Sequence, residues 1–189
     1  MDIFSYFKNH DIDTVDATFY RTIRVWRSWY YSNVRKFHKY NVYRGNGTSI
    51  NCTRYSLSMA KKVCEDIADL LLNEKVQITI ADKATDDFVK QVLTDNTWEE
   101  LGNEFQEWKA ALGTVAYVVY IRDGQVDEAG NMTGGRIGIN YVDALNIYPT
   151  SWENKVVKEC IFTFRKTYKR KKYVHIQYHR LEPLADGGN

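Results

Sequence analysis

At Gly113 the hydrophobic rhythm of this chain changes, and that change limits the folds open to it. Before Gly113, apolar residues recur every three or four positions, the spacing of amphipathic helices. After it, Thr114–Ile121 (TVAYVVYI) is nearly all apolar and β-rich, and later segments alternate apolar with polar residues. Helices first and strands afterwards is an α+β layout, with N-terminal helices packed on a mainly antiparallel sheet.

The helical half divides at its caps and breakers. The first strong segment is 14–32, where Asp13 or Thr14 can cap and Phe19, Ile23, Trp26 and Tyr30 share a face. Arg21, Arg24 and Arg27 fall on the other side. A turn or hairpin follows at 40–53, broken at Gly45-Asn46-Gly47. In the helix expected at 55–73, Ala60, Val63, Cys64, Ile67, Ala68 and Leu71 form the apolar face, and Lys61/Glu65 and Lys62/Asp66 sit in i, i+4 register. Val76–Ile80 reads as a short strand. Asp82 can cap a helix at 83–95 whose apolar face is Phe88, Val89 and Val92. Thr97-Trp98-Glu99-Glu100 is a capping-box pattern opening a helix with Leu101, Phe105, Trp108 and Leu112 inward and Gly113 as its stop.

In the strand half, Thr114–Ile121 reads as a central strand buried on both faces. Asp123-Gly124 through Gly134-Gly135 reads as a long polar loop, and Arg136–Val142 as the returning strand. Leu145–Tyr148 is a short extended piece ending at Pro149. The last strands, 156–166 and 173–180, alternate through Cys160, Phe162 and Phe164 and through Val174, Ile176 and Tyr178. A basic turn, Thr167-Tyr168-Lys169-Arg170-Lys171-Lys172, joins them.

At 189 residues, with 5 Trp, 14 Tyr and 8 Phe against 2 Pro, the chain can build one domain with a solid core. Residues 1–180 are expected to form that domain and 181–189 a polar tail. Three cysteines (Cys52, Cys64, Cys160) without CxxC spacing fit a reducing compartment. The N-terminus has no signal-peptide pattern, and no stretch reaches the ~20 apolar residues of a membrane span. A soluble intracellular protein is expected. The net charge of +2 conceals a split: residues 1–50 carry +4, 51–110 carry −5, 111–159 carry −2 and 160–189 carry +5.

Four patterns carry possible chemistry. Asp143 with Glu153 and Lys155 outlines a Mg²⁺-dependent nuclease, in which two carboxylates hold the metal and the lysine stabilises phosphate charge. That chemistry wants Glu and Lys on one buried strand, whereas Ser151–Lys155 reads as a turn. His175 and His179 share a strand face with Gln177 between them, without a nearby acid or thiol to complete a metal set; His10 and His38 have no partners in sequence. Gly134-Gly135-Arg136-Ile137-Gly138 resembles a phosphate loop only superficially, since it lacks GK[ST] and does not lead from strand to helix. The chain is therefore read as a non-enzyme, with no cofactor and no metal. The fourth pattern is basic: Arg21, Arg24, Arg27, Arg35, Lys36 and Lys39 among Trp26, Trp29, Tyr30 and Tyr31, and Arg165, Lys166, Lys169, Arg170, Lys171 and Lys172. Such segments neutralise phosphates and offer rings for stacking, so a small nucleic-acid-binding module is the alternative reading. Equally, they can be the wet face of a helix and a solvated hairpin tip.

Three segments, Arg54–Ile80, Glu107–Tyr120 and Ile139–Thr163, together resemble the N-terminal part of tailed-bacteriophage portal proteins. Trp26–Tyr30 and Tyr173–His179 are similar in kind and order. The resemblance implies a structural, non-enzymatic subunit of a ring, usually of twelve, at one capsid vertex. It implies as partners the capsid, a terminase motor that pumps double-stranded DNA through the ring, and tail adaptors. It also implies a place in the virion, with assembly in the host cytoplasm. The similar part is the outer wing, an α+β body. Stem, clip and crown should follow a wing, but the chain ends in a polar tail, so it is expected to be an N-terminal fragment, monomeric or weakly associated by itself. A closed ring needs two different complementary surfaces per subunit, and basic ends with an acidic middle suit that need.

Overall fold

The core forms where two N-terminal helices meet the C-terminal strands. The computed structural model describes residues 3–72, 76–128 and 130–180; the expected polar tail lies outside them. A helix that periodicity did not announce, α1 (Ile3–Asn9), brings Phe4 and Phe7 to α2 (Ala17–Tyr30). Next come a single turn, α3 (Arg35–His38), and the hairpin β1 (Lys39–Tyr43) and β2 (Ser49–Thr53), where one was expected. Helices α4 (Met59–Leu71), α5 (Lys83–Asp95) and α6 (Trp98–Leu112) complete the helical half. Asp82 caps α5 through Thr85 N at 2.9 Å, and Gly113 ends α6 at φ +78°, a left-handed position that glycine occupies freely.

The strands are all antiparallel but form three sheets rather than one. β3 (Val115–Val126) pairs with β4 (Met132–Asp143) as a two-stranded ribbon. A one-turn 3-10 helix (Ala144–Asn146) then leads into the three-stranded sheet of β5 (Ile147–Glu153), β6 (Val156–Tyr168) and β7 (Lys171–His179). β6 belongs to two packing layers at once: Ile161 lies in the main core with Phe7, Tyr20, Ile23, Leu112, Ala144 and Tyr148, while its neighbour Phe162 packs with Val118 and Val142. Adjacent strand residues point to opposite faces, so one strand joins the two clusters.

Several expectations change. The helix cap is Asp16, whose Oδ1 accepts from Thr18 N at 2.6 Å, not Asp13 or Thr14. The buried stripe of α2 is Tyr20, Ile23 and Tyr30, while Phe19 and Trp26 are each 44% exposed. The stripe runs i, i+3, i+10, and Arg27 occupies its i+7 position. Thr97 adopts φ +47° and makes no capping bond, because a hydroxyl cap needs an extended residue there. Val76–Ile80 pairs with no strand among the described residues; it is held instead by Asp86 Oδ1, which accepts from Ile80 N at 2.9 Å. The apolar face of α4 leaves only Ala68 buried.

β3 is not a central strand. Val119 is 65% exposed, because the ribbon has one partner strand and only partial helix cover. Its pairing runs on to Val126↔Met132, so most of the expected polar loop is ribbon. The glycines there serve close approach: a Cβ on Gly138 would stand 2.7 Å from Tyr120 Cζ, and one on Gly135 would stand 2.8 Å from Ile121 Cγ2. Asn96, one residue past α5, fastens the ribbon to the helices. Its amide donates to Ile137 O at 2.9 Å and its Oδ1 accepts from Ile139 N at 2.9 Å.

Ile161 is wholly buried in the main core, so Ile161→Ala leaves a cavity there and is expected to cost about 2–5 kcal/mol in urea unfolding. Phe88→Ala, on an exposed helix face, should change stability by less than about 0.5 kcal/mol.

Candidate functional site

The basic residues fall into two places and a remainder. Arg24 and Arg27 project from α2, and Arg165 from β6, into one cleft of about 610 Å³ that Asp143, Trp108 and Tyr141 also line. Arg21, nearly one turn before Arg24, does not line it. Arg27 is fixed in place: its guanidinium lies 5.8 Å from the Tyr31 ring centroid and 5.7 Å from that of Trp108, and Nη1 is 3.8 Å from Asp143 Oδ2. Arg24 and Arg165 have no ion-pair partner among the described residues and are exposed. Three guanidiniums against one carboxylate leave the cleft with a surplus of two positive charges. Guanidinium forks match carboxylate and phosphate oxygens in pairs.

The walls of the cleft are well ordered by hydrogen bonds. Asp143 Oδ1 accepts from Leu145 N at 2.9 Å and Asn146 Nδ2 at 2.8 Å, and buried Thr163 donates to Asn146 Oδ1 at 3.2 Å. Tyr141 donates to Glu104 Oε2 at 2.9 Å; burial, with that carboxylate, pushes its hydroxyl up to about 12. Tyr30 donates to Glu107, and burial followed by that bond raises its hydroxyl well above the usual phenol range. Both phenols stay protonated at neutral pH and hold α6 against α2 and β4.

The second place is the tip of the β6–β7 hairpin. Tyr168 pairs with Lys171, leaving a two-residue turn of Lys169 (φ +46°) and Arg170 (φ +62°). Such turns favour Asn-Gly, and a non-glycine residue in the left-handed region costs roughly 1–3 kcal/mol. Lys169 Nζ sits 5.3 Å from the Tyr168 ring centroid, and Lys171 and Lys172 continue the charge along β7. The tip is four residues from Arg165, roughly 13 Å along the strand, and does not line the cleft.

The other patterns do not assemble. Asp143 is spent on the 3-10 turn and Arg27, while Glu153 ends β5 with Oε2 3.4 Å from Lys158 Nζ, and Lys155 lies in the turn after Asn154 (φ +55°). No group of three or more His, Cys, Asp or Glu side chains is placed to hold a metal among the described residues. His175 and His179 pack near Phe164 and Phe162, with ring centroids 6.4 and 4.9 Å apart. His10 stacks on Tyr6 at 4.1 Å, and His38 is buried with Nδ1 3.0 Å from Val34 N. The glycine run at 134–138 is strand. No helix among the described residues is long and apolar enough to cross a membrane.

What the sequence concealed was that Arg27 belongs to the inward stripe of α2. The signal was present: Tyr20, Ile23, Arg27 and Tyr30 share one helical face, but a charged residue interrupts it. Arg27→Ala removes stacking on two rings and should cost about 1–2 kcal/mol in thermal or urea unfolding. Arg24→Ala, exposed and unpaired, is expected to change stability by less than about 0.5 kcal/mol.

A family model described as "Phage portal protein, SPP1 Gp6-like" matches residues 9–181. A comparison with curated proteins found no match.

Proposed function

The chain belongs to the SPP1 Gp6-like family of phage portal proteins, and from that premise we propose that it serves in the portal ring through which DNA enters and leaves the capsid. The family is structural, and membership implies an oligomeric ring, association with the capsid and a place at the portal vertex of the virion. The finer reading is ours. The body formed by residues 3–180 acts as a wing-like domain that meets neighbouring subunits; terminase and tail adaptors dock on the ring, and assembly takes place in the host cytoplasm.

One observation carries this reading. The chain exposes 14917 Å², against roughly 9300 Å² for a compact monomer of its length. Large apolar side chains are among what is exposed: Tyr55 is 94% exposed, Leu57 88%, Leu70 80% and Tyr43 77%. Large exposed apolar side chains in numbers mark a protein surface meant to be covered. Both the helical half and the ribbon contribute, as a subunit with a neighbour on each side would require. Electron microscopy of the full-length gene product should give ring-shaped particles; a uniformly monomeric product overturns the proposal.

A second contact is supported by the hairpin tip. Lysine and arginine at Lys169 and Arg170 hold a turn that Asn-Gly would form with less strain, so the basic side chains have a use that offsets the backbone cost. We read that use as contact with the DNA phosphate backbone. Replacing Lys169 and Arg170 by Asn and Gly keeps the turn and removes two charges. In gel shifts at low and near-physiological salt, the variant should bind duplex DNA at least about tenfold more weakly and with a shallower salt slope. Equal binding by both proteins would assign the tip to structure alone.

A further inference from the structure

We infer that the arginine cleft of one subunit receives the first turn of α6, Glu99 and Glu100, from the next subunit in the ring; this rests on the portal reading above. The cleft holds Arg24, Arg27 and Arg165 against the single carboxylate of Asp143. Arg27 is engaged by Asp143 and two rings, which leaves Arg24 and Arg165 exposed and unpaired in a concave site. Among the described residues no second carboxylate lines the cleft, which leaves it open to an anion from a neighbouring subunit.

This chain supplies a matching group elsewhere. Glu99 and Glu100 are, among the described residues, the one consecutive pair of acids with neither carboxylate in an ion pair or hydrogen bond. Both are exposed. They open α6, whereas Trp108, nine residues after Glu99, lines the cleft, so the two features lie roughly 13 Å apart along one helix axis. The same subunit cannot join them, but two copies can. Two different, oppositely charged surfaces on each subunit form a head-to-tail contact, the kind that closes into a ring. The split of charge into basic ends and an acidic middle agrees with that arrangement, since Arg24 and Arg165 lie in the basic ends and Glu99 and Glu100 in the acidic middle.

DNA is the competing occupant. The cleft favours a protein anion on size: about 610 Å³ admits two carboxylate side chains, whereas a duplex could reach only its rim. Acidic residues in the first turn already suit the helix dipole, so neutral and reversed variants must both be made.

The test uses charge reversal in the full-length gene product, followed by sedimentation and electron microscopy, with circular dichroism to confirm folding. Arg24→Glu/Arg165→Glu spares Arg27 and its packing. This variant and Glu99→Arg/Glu100→Arg should each raise the concentration for half-assembly at least about tenfold, and Glu99→Gln/Glu100→Gln by less. Mixing the two reversed variants should restore assembly to within about threefold, because reversed clefts then meet reversed acids in alternation. Normal assembly by either reversed variant alone, or no recovery on mixing, overturns the inference while leaving the ring intact. So does unchanged assembly with lost duplex binding in the Arg24/Arg165 variant, which would give the cleft to DNA. Failure of the unaltered protein to assemble would sink the portal reading itself, and this inference with it.

Discussion

The seam between α2 and β5 holds this molecule together. Tyr20 stacks on Tyr148 with ring centroids 5.0 Å apart and donates its hydroxyl to Ile147 O at 2.8 Å, across 127 residues of sequence. Phe4 and Phe7 close the ring cluster edge-on against Tyr148. Burial holds the Tyr20 hydroxyl protonated far above the usual phenol range, so the bond is a neutral one made where water is excluded. Aromatic pairs add about 0.5–1.5 kcal/mol each beyond their buried area, and several of them meet here. The direction of α2 follows from that seam. With Tyr20 and Ile23 turned inward, helical spacing turns Arg27 toward Trp108 and Asp143 and sets Arg24 at the cleft rim.

Two of the three sheets gain little from their own strands. A two-stranded ribbon is marginal in water, so β3–β4 needs cover to persist. Its inner half has it: Tyr117 stacks on Phe105 with centroids 3.7 Å apart, and Asn96 bonds to β4. The outer half, toward Val126, has less: Arg122 donates to Asp95 O at 3.3 Å, but Val119, Ile121 and Val126 stand in solvent. The same imbalance recurs in α4, where the i, i+4 pairs Lys61–Glu65 (3.3 Å) and Lys62–Asp66 (3.0 Å) support a helix whose apolar face is half bare. A subunit of a portal ring has neighbours for such faces.

Much of the fold was legible because short-range rules decide it. Asp82 before α5 and Gly113 after α6 mark helix ends by hydrogen-bonding and backbone freedom that need no distant partner. The hairpins at 39–53 and 156–179 follow from alternation and turn residues. What failed did so for lack of tertiary information. Thr97 looked like a cap until its backbone turned left-handed. Val76–Ile80 has strand composition but no neighbour to pair with, and β-propensity reports a fit to a sheet rather than a sheet. The candidate site was half visible. All twelve basic residues singled out were surface candidates, yet only Arg24, Arg27 and Arg165 share a cleft.

By itself, then, the sequence determined the order of elements, most of their ends, the α+β class and the resemblance that the family match bears out. Periodicity achieves this because it records which residues share a face. It does not record which face finds cover, and that was left to the tertiary structure. Only packing could put a charged Arg27 on the buried stripe, divide the strands among three sheets, and bring Arg165 beside residues some 140 positions earlier in the chain.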